Sequence, residues 1–355
     1  FGNRGTVTEP GSGGGSRTTT FTYFSSLSSN NWILGVAKDE VTSGRSILRT
    51  LDFVGRPTSV RENGVVTSYA YDGEGNIATV RRPRGVQFSY ASYKRGIPRI
   101  ESQPEGVVLS RAVSDAGFIT SETDGEGHSK TYGRDTLGRI TSVDYSSGNT
   151  LSVIYTATTR TATRGGFVET TTYDGFGRPF RTSQAGIVTT RAYDAEGRKT
   201  FESNPGDSIG TRYQYDALDR LTRVTNPDTT YSTITYGAGS VTVTDERSNA
   251  TVQLFRSYGN PSEKYVMQVN APEPSANVAI VRGSNNLVSS MTQGGVTRAF
   301  GYDSRNFLTS ETHPEVGTIT YGRDDAGNMT WRKTAASGTS IYSYDGHDRL
   351  SSITL

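Results

Sequence analysis

The sequence predicts an all-β fold, built from tandem antiparallel β-hairpins that form a long curled or spiralling sheet. Three observations predict it: a repeat of about 21 residues, two turn signals in each repeat, and strands rich in tyrosine and threonine. Of the 355 residues only 32% are hydrophobic, below the roughly 45–50% usual in globular domains. A core sealed on both sides is hard to build from this composition, whereas a sheet wetted on at least one side tolerates it.

The repeat is clearest in six copies of a motif that begins with Tyr-Asp and ends with Gly, Asn or Asp. The Asp side chain is expected to accept hydrogen bonds from the amides of a tight turn. The last residue is expected to have a positive φ, which Gly, Asn and Asp tolerate best. The residues assigned to this structural turn motif are Tyr71, Asp72 and Gly75; Tyr173, Asp174 and Gly177; Tyr193, Asp194 and Gly197; Tyr215, Asp216 and Asp219; Tyr302, Asp303 and Asn306; Tyr344, Asp345 and Asp348.

The spacing of the motif gives the size of one structural unit. Degenerate copies begin at Leu51, Val113, Arg134, Phe255, Val281 and Arg323. Intervals of about 40 residues between neighbouring copies are interpreted as two periods with an eroded copy between them. A second turn signal falls about half a period later, at 62–64, 83–85, 104–106, 204–206 and 314–317. Two turns in each period leave two strands of typical length, so each repeat is predicted to be one hairpin.

Aromatic residues spaced by two precede several of the turns, which places both rings on one face of a strand. These rows are predicted to form ladders between neighbouring repeats; they are Tyr69/Tyr71, Tyr213/Tyr215, Phe300/Tyr302 and Tyr342/Tyr344. Two rival folds have similar periods, the four-stranded propeller blade and the β-solenoid. The strands alternate apolar and polar residues, unlike those of a blade, and the Asp-x-x-Gly turn reverses the chain, unlike the corner of a solenoid.

The chain is expected to divide at residue 50. Residues 1–50 carry no clear motif and are predicted to be an irregular N-terminal segment with a Gly/Ser-rich loop at 11–16. Residues 51–355 are predicted to be the hairpin array, with a protruding loop at 271–275. The first and last residues suggest a fragment of a longer chain.

No residue pattern predicts catalysis, a cofactor or a metal. The chain has no cysteine, and its histidines, His128, His313 and His347, are far apart in sequence. They are interpreted as exposed turn residues rather than zinc ligands. Turn chemistry explains the recurring aspartates, and a net charge of +2 gives no reason to expect nucleic acid. The absence of a long apolar run predicts no transmembrane helix. The chain is therefore expected not to be an enzyme.

The pattern Tyr-Asp-x-x-Gly-Arg-Leu at this spacing resembles the YD repeat of Rhs proteins, Tc-toxin B and C components, wall-associated proteins and teneurins. The resemblance extends over about residues 50–355 and includes residues 89–98. It implies a ribbon coiled into a large hollow shell, which in Rhs and Tc proteins encloses a toxic C-terminal segment. The Asp-Pro-x-Gly-rich segment that ends the shell in Rhs relatives is not found here.

The resemblance implies a structural scaffold or shell segment of a secreted or cell-surface bacterial protein that encapsulates and delivers a toxic effector. Its expected partners are further repeats, missing terminal domains of the same chain and the enclosed toxin. The alternative is an extracellular adhesin or carbohydrate-binding module whose aromatic rows stack on glycans. Downstream DNA that encodes a variable toxin-like tail favours the shell, and a cell-wall anchor favours the adhesin.

Overall fold

The computed structural model describes residues 3–12, 15–28, 31–259 and 263–355. Within these ranges the protein is almost entirely β, with 33 strands and three short 3-10 helices. The expected all-β fold is confirmed. Gly13 and Gly14 of the predicted Gly/Ser-rich loop lie outside the described residues.

The strands follow one another along the whole chain, each about one half of a repeat. They are β1 Thr6–Pro10, β2 Ser16–Ser28, β3 Asn31–Thr42, β4 Arg45–Leu51, β5 Pro57–Glu62, β6 Val65–Tyr71, β7 Ile77–Arg81, β8 Gln87–Ala91, β9 Ile100–Ser102, β10 Val108–Val113, β11 Ile119–Thr123, β12 Ser129–Arg134, β13 Ile140–Tyr145, β14 Leu151–Tyr155, β15 Thr159–Arg164, β16 Phe167–Tyr173, β17 Pro179–Gln184, β18 Ile187–Tyr193, β19 Lys199–Ser203, β20 Gly210–Tyr215, β21 Leu221–Thr225, β22 Tyr231–Gly237, β23 Ser240–Thr244, β24 Ala250–Arg256, β25 Tyr265–Asn270, β26 Val278–Arg282, β27 Val288–Gln293, β28 Val296–Tyr302, β29 Leu308–His313, β30 Gly317–Arg323, β31 Met329–Thr334, β32 Gly338–Tyr344 and β33 Leu350–Thr354. The 3-10 helices are Pro83–Gly85, Pro104–Gly106 and Pro274–Ala276.

Each strand from β2 to β32 pairs antiparallel with the strand before it and the strand after it. The result is one continuous meander in which consecutive hairpins share a single sheet. The tandem-hairpin architecture predicted from the repeat is therefore confirmed, because each turn reverses the chain and none advances it to a new layer.

Residues 1–50 correct one expectation. This segment is predicted to be irregular, but its described part forms β1 to β4, which pair antiparallel with one another and then with β5. The strands β2 and β3 are longer than those of the repeats, and they lack the Tyr-Asp motif. Alternating threonine and aromatic residues suffice to form a strand here, because pairing with a neighbouring hairpin supplies the backbone partners.

The motif carries a register shift as well as a turn. In β6 the pairing register with β7 shifts between Ala70 and Tyr71, so that Tyr71 lies opposite Ile77. The same shift precedes the motif aspartate in β16, β18, β20, β28 and β32. A bulge bends its strand and increases the right-handed twist of the sheet. Its repetition at each motif copy adds a bend of the same kind along the ribbon.

The pairing register gives the sheet two different faces. Val143 lies opposite Leu151, and Val153 lies opposite Ala162, so these apolar residues share one face. That face holds most of the buried strand side chains, among them Ile47, Val143, Val153, Ala162 and Ile319. On the other face serine and threonine dominate, as in the Thr161–Thr170 hydroxyl pair at 3.2 Å. The core is one residue deep, which agrees with the low hydrophobic content.

The ribbon has two edges, defined by its turns. Turns after even-numbered strands form the motif edge, because all six Tyr-Asp turns lie there. Turns after odd-numbered strands form the opposite edge, which holds the second turn signal of each repeat. The opposite edge of early strands contacts the motif edge of late strands: Ser12, after β1, hydrogen bonds with Ser257, after β24. Glu105, after β9, accepts from the amide of Gly346, after β32.

Both contacts join turns that are 23 strands apart (24 − 1 and 32 − 9). The ribbon therefore coils into a spiral whose successive windings meet along a seam. At a strand spacing of about 4.8 Å, 23 strands give a circumference of roughly 110 Å and a diameter of roughly 35 Å. The spiral sheet predicted from the sequence is confirmed, and the structure shows that one winding of the spiral contains about 23 strands.

Candidate functional site

The turn of each repeat is organised by its aspartate. In the copy at 174–178, the Oδ1 atom of Asp174 accepts from the amides of Phe176 and Arg178, each at 2.9 Å. The amide of Gly177 donates to the carbonyl oxygen of Asp174 at 3.0 Å. The amide four residues on donates in the same way to Asp72, Asp194, Asp216, Asp303 and Asp345.

The left-handed conformation predicted at the closing residue is confirmed in all six copies. The φ values are 92° at Gly75, 79° at Gly177, 87° at Gly197, 62° at Asp219, 70° at Asn306 and 61° at Asp348. The last three show that Asp and Asn adopt this conformation where the sequence lacks glycine, as their local side-chain hydrogen bonding allows.

The second carboxylate oxygen of the aspartate binds an arginine four residues later. The Nε atom of Arg178 donates to Oδ2 of Asp174 at 2.7 Å, and Arg198 and Arg220 donate likewise to their own aspartates at 2.7 and 2.8 Å. At Asp345, desolvation favours a higher pKa, but hydrogen bonds from the Arg349 amide, the Arg349 side chain and the His347 amide outweigh it. They hold the pKa of Asp345 at about 2.

This arginine also connects one repeat to the next. The guanidinium of Arg178 lies 4.8 Å from the ring centre of Tyr193, the first residue of the following motif. The Tyr193 hydroxyl donates to the carbonyl oxygen of Pro179, the residue after that arginine, at 2.9 Å. Aspartate, arginine, tyrosine and carbonyl thus form a closed chain of contacts across two strands, which we call the repeat latch.

The latch recurs along the ribbon. It joins Arg56 to Tyr71, Arg198 to Tyr215 and Arg220 to Tyr236, with ring distances of 4.3, 5.1 and 4.3 Å and hydroxyl bonds of 2.8, 2.8 and 2.9 Å. Tyr344 keeps the hydroxyl bond, to the Met329 carbonyl, although asparagine replaces the arginine before it. A cation over an aromatic ring contributes about 0.5–1 kcal/mol at exposed sites. Each latch is therefore weak, and the latches stabilise the sheet because there are several of them.

The predicted site residues Tyr302, Asp303 and Tyr173 depart from this scheme. The Tyr302 ring is half-buried, and burial raises the pKa of its hydroxyl despite the charge of Arg282 nearby. Asp303 binds the arginine two residues later, Arg305, instead of one four residues later. For Tyr173 the recorded polar contact is its backbone amide, which donates to the Thr158 carbonyl oxygen.

The aromatic rows contact guanidinium groups more often than other rings. Among the described residues, a ring-on-ring contact is recorded for Tyr258 and Tyr265, whose centres are 6.4 Å apart. Elsewhere guanidinium groups lie against the rings, at Tyr71, Tyr193, Tyr215 and Tyr236 among others. Arginine recurs at a fixed place in the repeat, which indicates a structural role. The tyrosine ring that this arginine contacts was not identified from the sequence. The sequence does contain a signal for it, because a tyrosine follows the arginine about 15–17 residues later.

The more buried face of the sheet carries ion pairs between the latches. Arg111 contacts Glu101 at 3.0 Å and Glu122 at 3.3 Å. Glu122 also accepts from the hydroxyl of Tyr132 at 2.6 Å, and this hydrogen bond, together with desolvation, raises the pKa of Tyr132 to about 12. Each of these groups is paired within the sheet, as partly buried charges require.

Charged residues at the tips of opposite-edge turns form ion pairs and hydrogen bonds across the seam. Arg84 contacts Asp324 at 3.2 Å, forms an ion pair with Asp348 and donates to the Tyr344 carbonyl oxygen. Glu105 accepts from the Gly346 amide at 2.8 Å and from Arg349 at 2.9 Å. Both residues follow proline in 3-10 turns and have positive φ, 62° and 60°.

The histidines only partly match the expected exposed turn residues. His128 is exposed and lies beside Asp124, whereas His313 ends β29 half-buried against Glu311. The ring of His347 lies in the seam, 3.2 Å from Glu105, and half-buried. With Asp345, these two form the one close group of ligand types recorded in the described ranges. Arg349 already pairs with both carboxylates, so the group fits a seam contact better than a cation site.

Comparison with known proteins agrees with this geometry. The family model described as RHS Repeat matches residues 54–87, 114–150 and 202–231. These three segments match the repeat of the Rhs/YD family. In these matched segments lie the aspartate turns at 72–75 and 216–219 and the opposite-edge turn at 83–85. No curated protein gives a significant match to the chain.

Solved structures of Tc toxin proteins share the fold. A crystal structure of TcdB2-TccC3 without the hypervariable C-terminal region aligns with a TM-score of 0.52 at 14% identity, covering 94% of this chain and 19% of that one. TcdB2-TccC3 itself gives 0.52, 14%, 94% and 20%, and the Photorhabdus luminescens Tc holotoxin pore gives 0.51, 14%, 94% and 19%. The Rhs-repeat chain thus spans about one fifth of the length of the chains it matches. Among its described residues, no helix has the length and apolarity to cross a membrane.

Proposed function

We propose that this Rhs-repeat segment is part of the wall of a hollow shell that encloses and delivers a toxic effector, in a secreted or cell-surface bacterial protein. The observation that carries the proposal is the seam, because it joins successive windings of a spiral wall that is one sheet thick. Allowing about 5 Å for side chains on each side, the roughly 35 Å spiral leaves an interior of roughly 25 Å. Such an interior accommodates an unfolded or narrow polypeptide.

We assign the interior to the face that holds the latches and ion pairs. Side chains on the concave face of a curled sheet converge and cover one another, and this face holds most of the buried strand residues. Its charges are paired within the wall, as at Arg111, Glu101 and Glu122. A lining whose charges are already compensated offers an enclosed polypeptide few strong attachment points, which suits cargo that must be released.

A catalytic role is not part of the proposal. The titratable groups of the latches and the seam have structural partners, and the three histidines lie in separate places. The latch tyrosines also have one ring face covered by a guanidinium group, as at Tyr71 and Tyr236. That cover favours a wall over the alternative of a glycan-stacking surface.

The absence of cysteine from the chain allows a direct test of the interior. Thr189 and Thr190 are neighbours in β18 and are both half-buried, but they face opposite sides of the sheet. Thr189 shares the face of Arg191 and Glu202. We expect Thr189→Cys and Thr190→Cys to react at similar rates with a small maleimide. A maleimide attached to a 20-kDa polyethylene glycol has a polymer coil wider than the interior. With this reagent, Thr189→Cys should react at least several-fold more slowly than Thr190→Cys. Equal rates with the large reagent would contradict a hollow interior on this face.

Enclosure of a polypeptide is tested on the full-length product of the gene. Any polypeptide that it encodes beyond the repeats should resist added protease while the wall is intact, and should be digested once the seam is opened. Digestion at the same rate with an intact and an opened seam would contradict enclosure, whatever the result of the thiol experiment.

A further inference from the structure

Two neighbouring turns of the motif edge, after β24 and β26, lack the aspartate that organises the motif copies. The register shift that precedes the motif aspartate is present at the ends of both strands. The residues in the place of the aspartate are therefore Arg256 and Gly283. An arginine replaces one carboxylate and a glycine replaces the other, so this part of the edge carries positive charge without the negative charge that normally accompanies it.

Arg256 and Arg282 meet at Asn286, the closing residue of the turn after β26. The Nη2 atom of Arg256 donates to Oδ1 of Asn286 at 3.0 Å, and Nη1 of Arg282 donates to the Asn286 carbonyl oxygen at 2.8 Å. The Nε atom of Arg282 donates to the Val266 carbonyl oxygen at 3.0 Å. The Nε atom of Arg256 is buried and has no hydrogen-bond partner. Buried donors normally have an acceptor, so this nitrogen indicates an acceptor from outside the chain.

The two guanidinium groups have no counter-ion from the protein. Among the described residues, their polar partners are an amide side chain and backbone carbonyls, and neither group forms an ion pair. The carboxylates of the same stretch of seam, Glu9 and Glu263, both bind Arg17 at 2.7 Å. Burial, and after it the charge of Arg256, lowers the pKa of Arg282. Two partly buried like charges favour the binding of an anion between them.

Other copies of the turn have a carboxylate at the position of Asn286. Asn286 closes its turn with a φ of 62°, and Asp219 and Asp348 close theirs with 62° and 61°. Asp219 accepts from Arg198 at 2.8 Å, and Asp348 forms an ion pair with Arg84. Asparagine keeps the conformation of the turn but supplies no charge. At this one turn, a negative group that compensates the arginines has to come from a ligand.

We propose that Arg256, Arg282 and Asn286 bind a small oxyanion of the phosphate class beside the seam. A guanidinium group donates two parallel hydrogen bonds to such an anion, which makes arginine the side chain best matched to it. Both arginines are half-buried, so a small ion reaches them from solvent and is attracted more strongly than in bulk water. Because one arginine ends β24 and the other ends β26, the bound anion joins two neighbouring hairpins.

Isothermal titration calorimetry with sodium phosphate, at an ionic strength held constant with sodium chloride, tests the site. The unmodified chain should bind phosphate saturably, at one site. Arg256→Gln and Arg282→Gln should each weaken binding about ten-fold or more, since a hydrogen bond to a charged group contributes at least that factor. The control is Arg323→Gln: Arg323 makes similar backbone contacts, to the Leu308 and Gly327 carbonyl oxygens at 3.0 and 3.3 Å, but the motif aspartate follows it. This variant should bind phosphate as the unmodified chain does.

Asn286→Asp separates loss of the site from loss of the fold. It places a carboxylate between the two guanidinium groups at nearly unchanged size and in a conformation that aspartate adopts at the same turn position elsewhere. Phosphate binding should disappear, while the thermal unfolding midpoint in phosphate-free buffer should rise above that of the unmodified chain. Titration heat also distinguishes a site from the general stabilisation of proteins by phosphate. The proposal is overturned by an unmodified chain that shows no saturable heat, by heat that sodium chloride reproduces, or by undiminished binding in Asn286→Asp or in both glutamine variants of the site.

Discussion

Gly177 allows the cost of the left-handed turn residue to be measured in isolation. Its φ is 79°, and a Cβ atom added there would have no heavy atom within 4 Å. Gly177→Ala should therefore introduce backbone strain and no steric clash. The left-handed region costs an L-residue roughly 1–2 kcal/mol, and the reduced freedom of the unfolded chain returns about 0.4–1 kcal/mol. The net loss should be about 1 kcal/mol, and about 1–2 kcal/mol for the β-branched Gly177→Val.

Gly175, two residues earlier in the same turn, is the matched control. An added Cβ there also has open space, but the φ of Gly175 lies outside the left-handed region. Gly175→Ala should be neutral or slightly stabilising. Urea unfolding gives the free energies, and hydrogen exchange at the amides of residues 174–178 shows whether the loss is local, as expected when repeats interact only with neighbours. Equal effects of the two alanine substitutions would refute the turn assignment.

Three further outcomes are expected. Tyr215→Phe removes the latch hydroxyl and should lower the free energy of unfolding in urea by about 1 kcal/mol. An unchanged free energy of unfolding would show that this hydrogen bond does not stabilise the fold. The folded-state pKa of Asp345, about 2, lies below its ordinary value of 3.8, so its stabilising contribution is complete above that value and is lost as the pH falls towards 2; a carboxyl titration by NMR with a midpoint near 4 would contradict this. Gly44→Ala would place Cβ 2.6 Å from the Asn285 Cα atom and should open the seam, which hydrogen exchange would detect as lost protection on both sides of it and not in the middle strands.

The features that sequence reasoning predicted are those encoded within a few residues. Asp174 and Gly177 specify their turn through contacts that span four residues, so the pattern can be read directly from the chain. The strands β1 to β4 were missed because they form without the motif, from alternation alone, in a segment whose glycines suggested a loop.

The latch and the seam are less accessible to sequence reasoning, for different reasons. The latch joins Arg178 to Tyr193, which lie in different repeats; arginine suits an exposed turn and tyrosine suits a strand even without this contact. The seam depends on a bend and twist that are small at each hairpin and accumulate over 23 strands. No local pattern relates Glu105 to Gly346, 241 residues later, and only the complete winding brings them together.

The strictly sequential pairing of the strands has a mechanical consequence. When the chain is pulled from one end, the outermost hairpin unfolds first. Its removal makes the next hairpin the outermost one and leaves the structure of that hairpin unchanged. Unfolding should proceed in steps of one repeat, each releasing about 70 Å of extended chain for 21 residues. Refolding can follow the same order in reverse, beginning at whichever end emerges first, and the windings can lock to one another only after about 240 residues have been laid down. A wall of this kind can thus be assembled, or drawn through a narrow opening, one hairpin at a time.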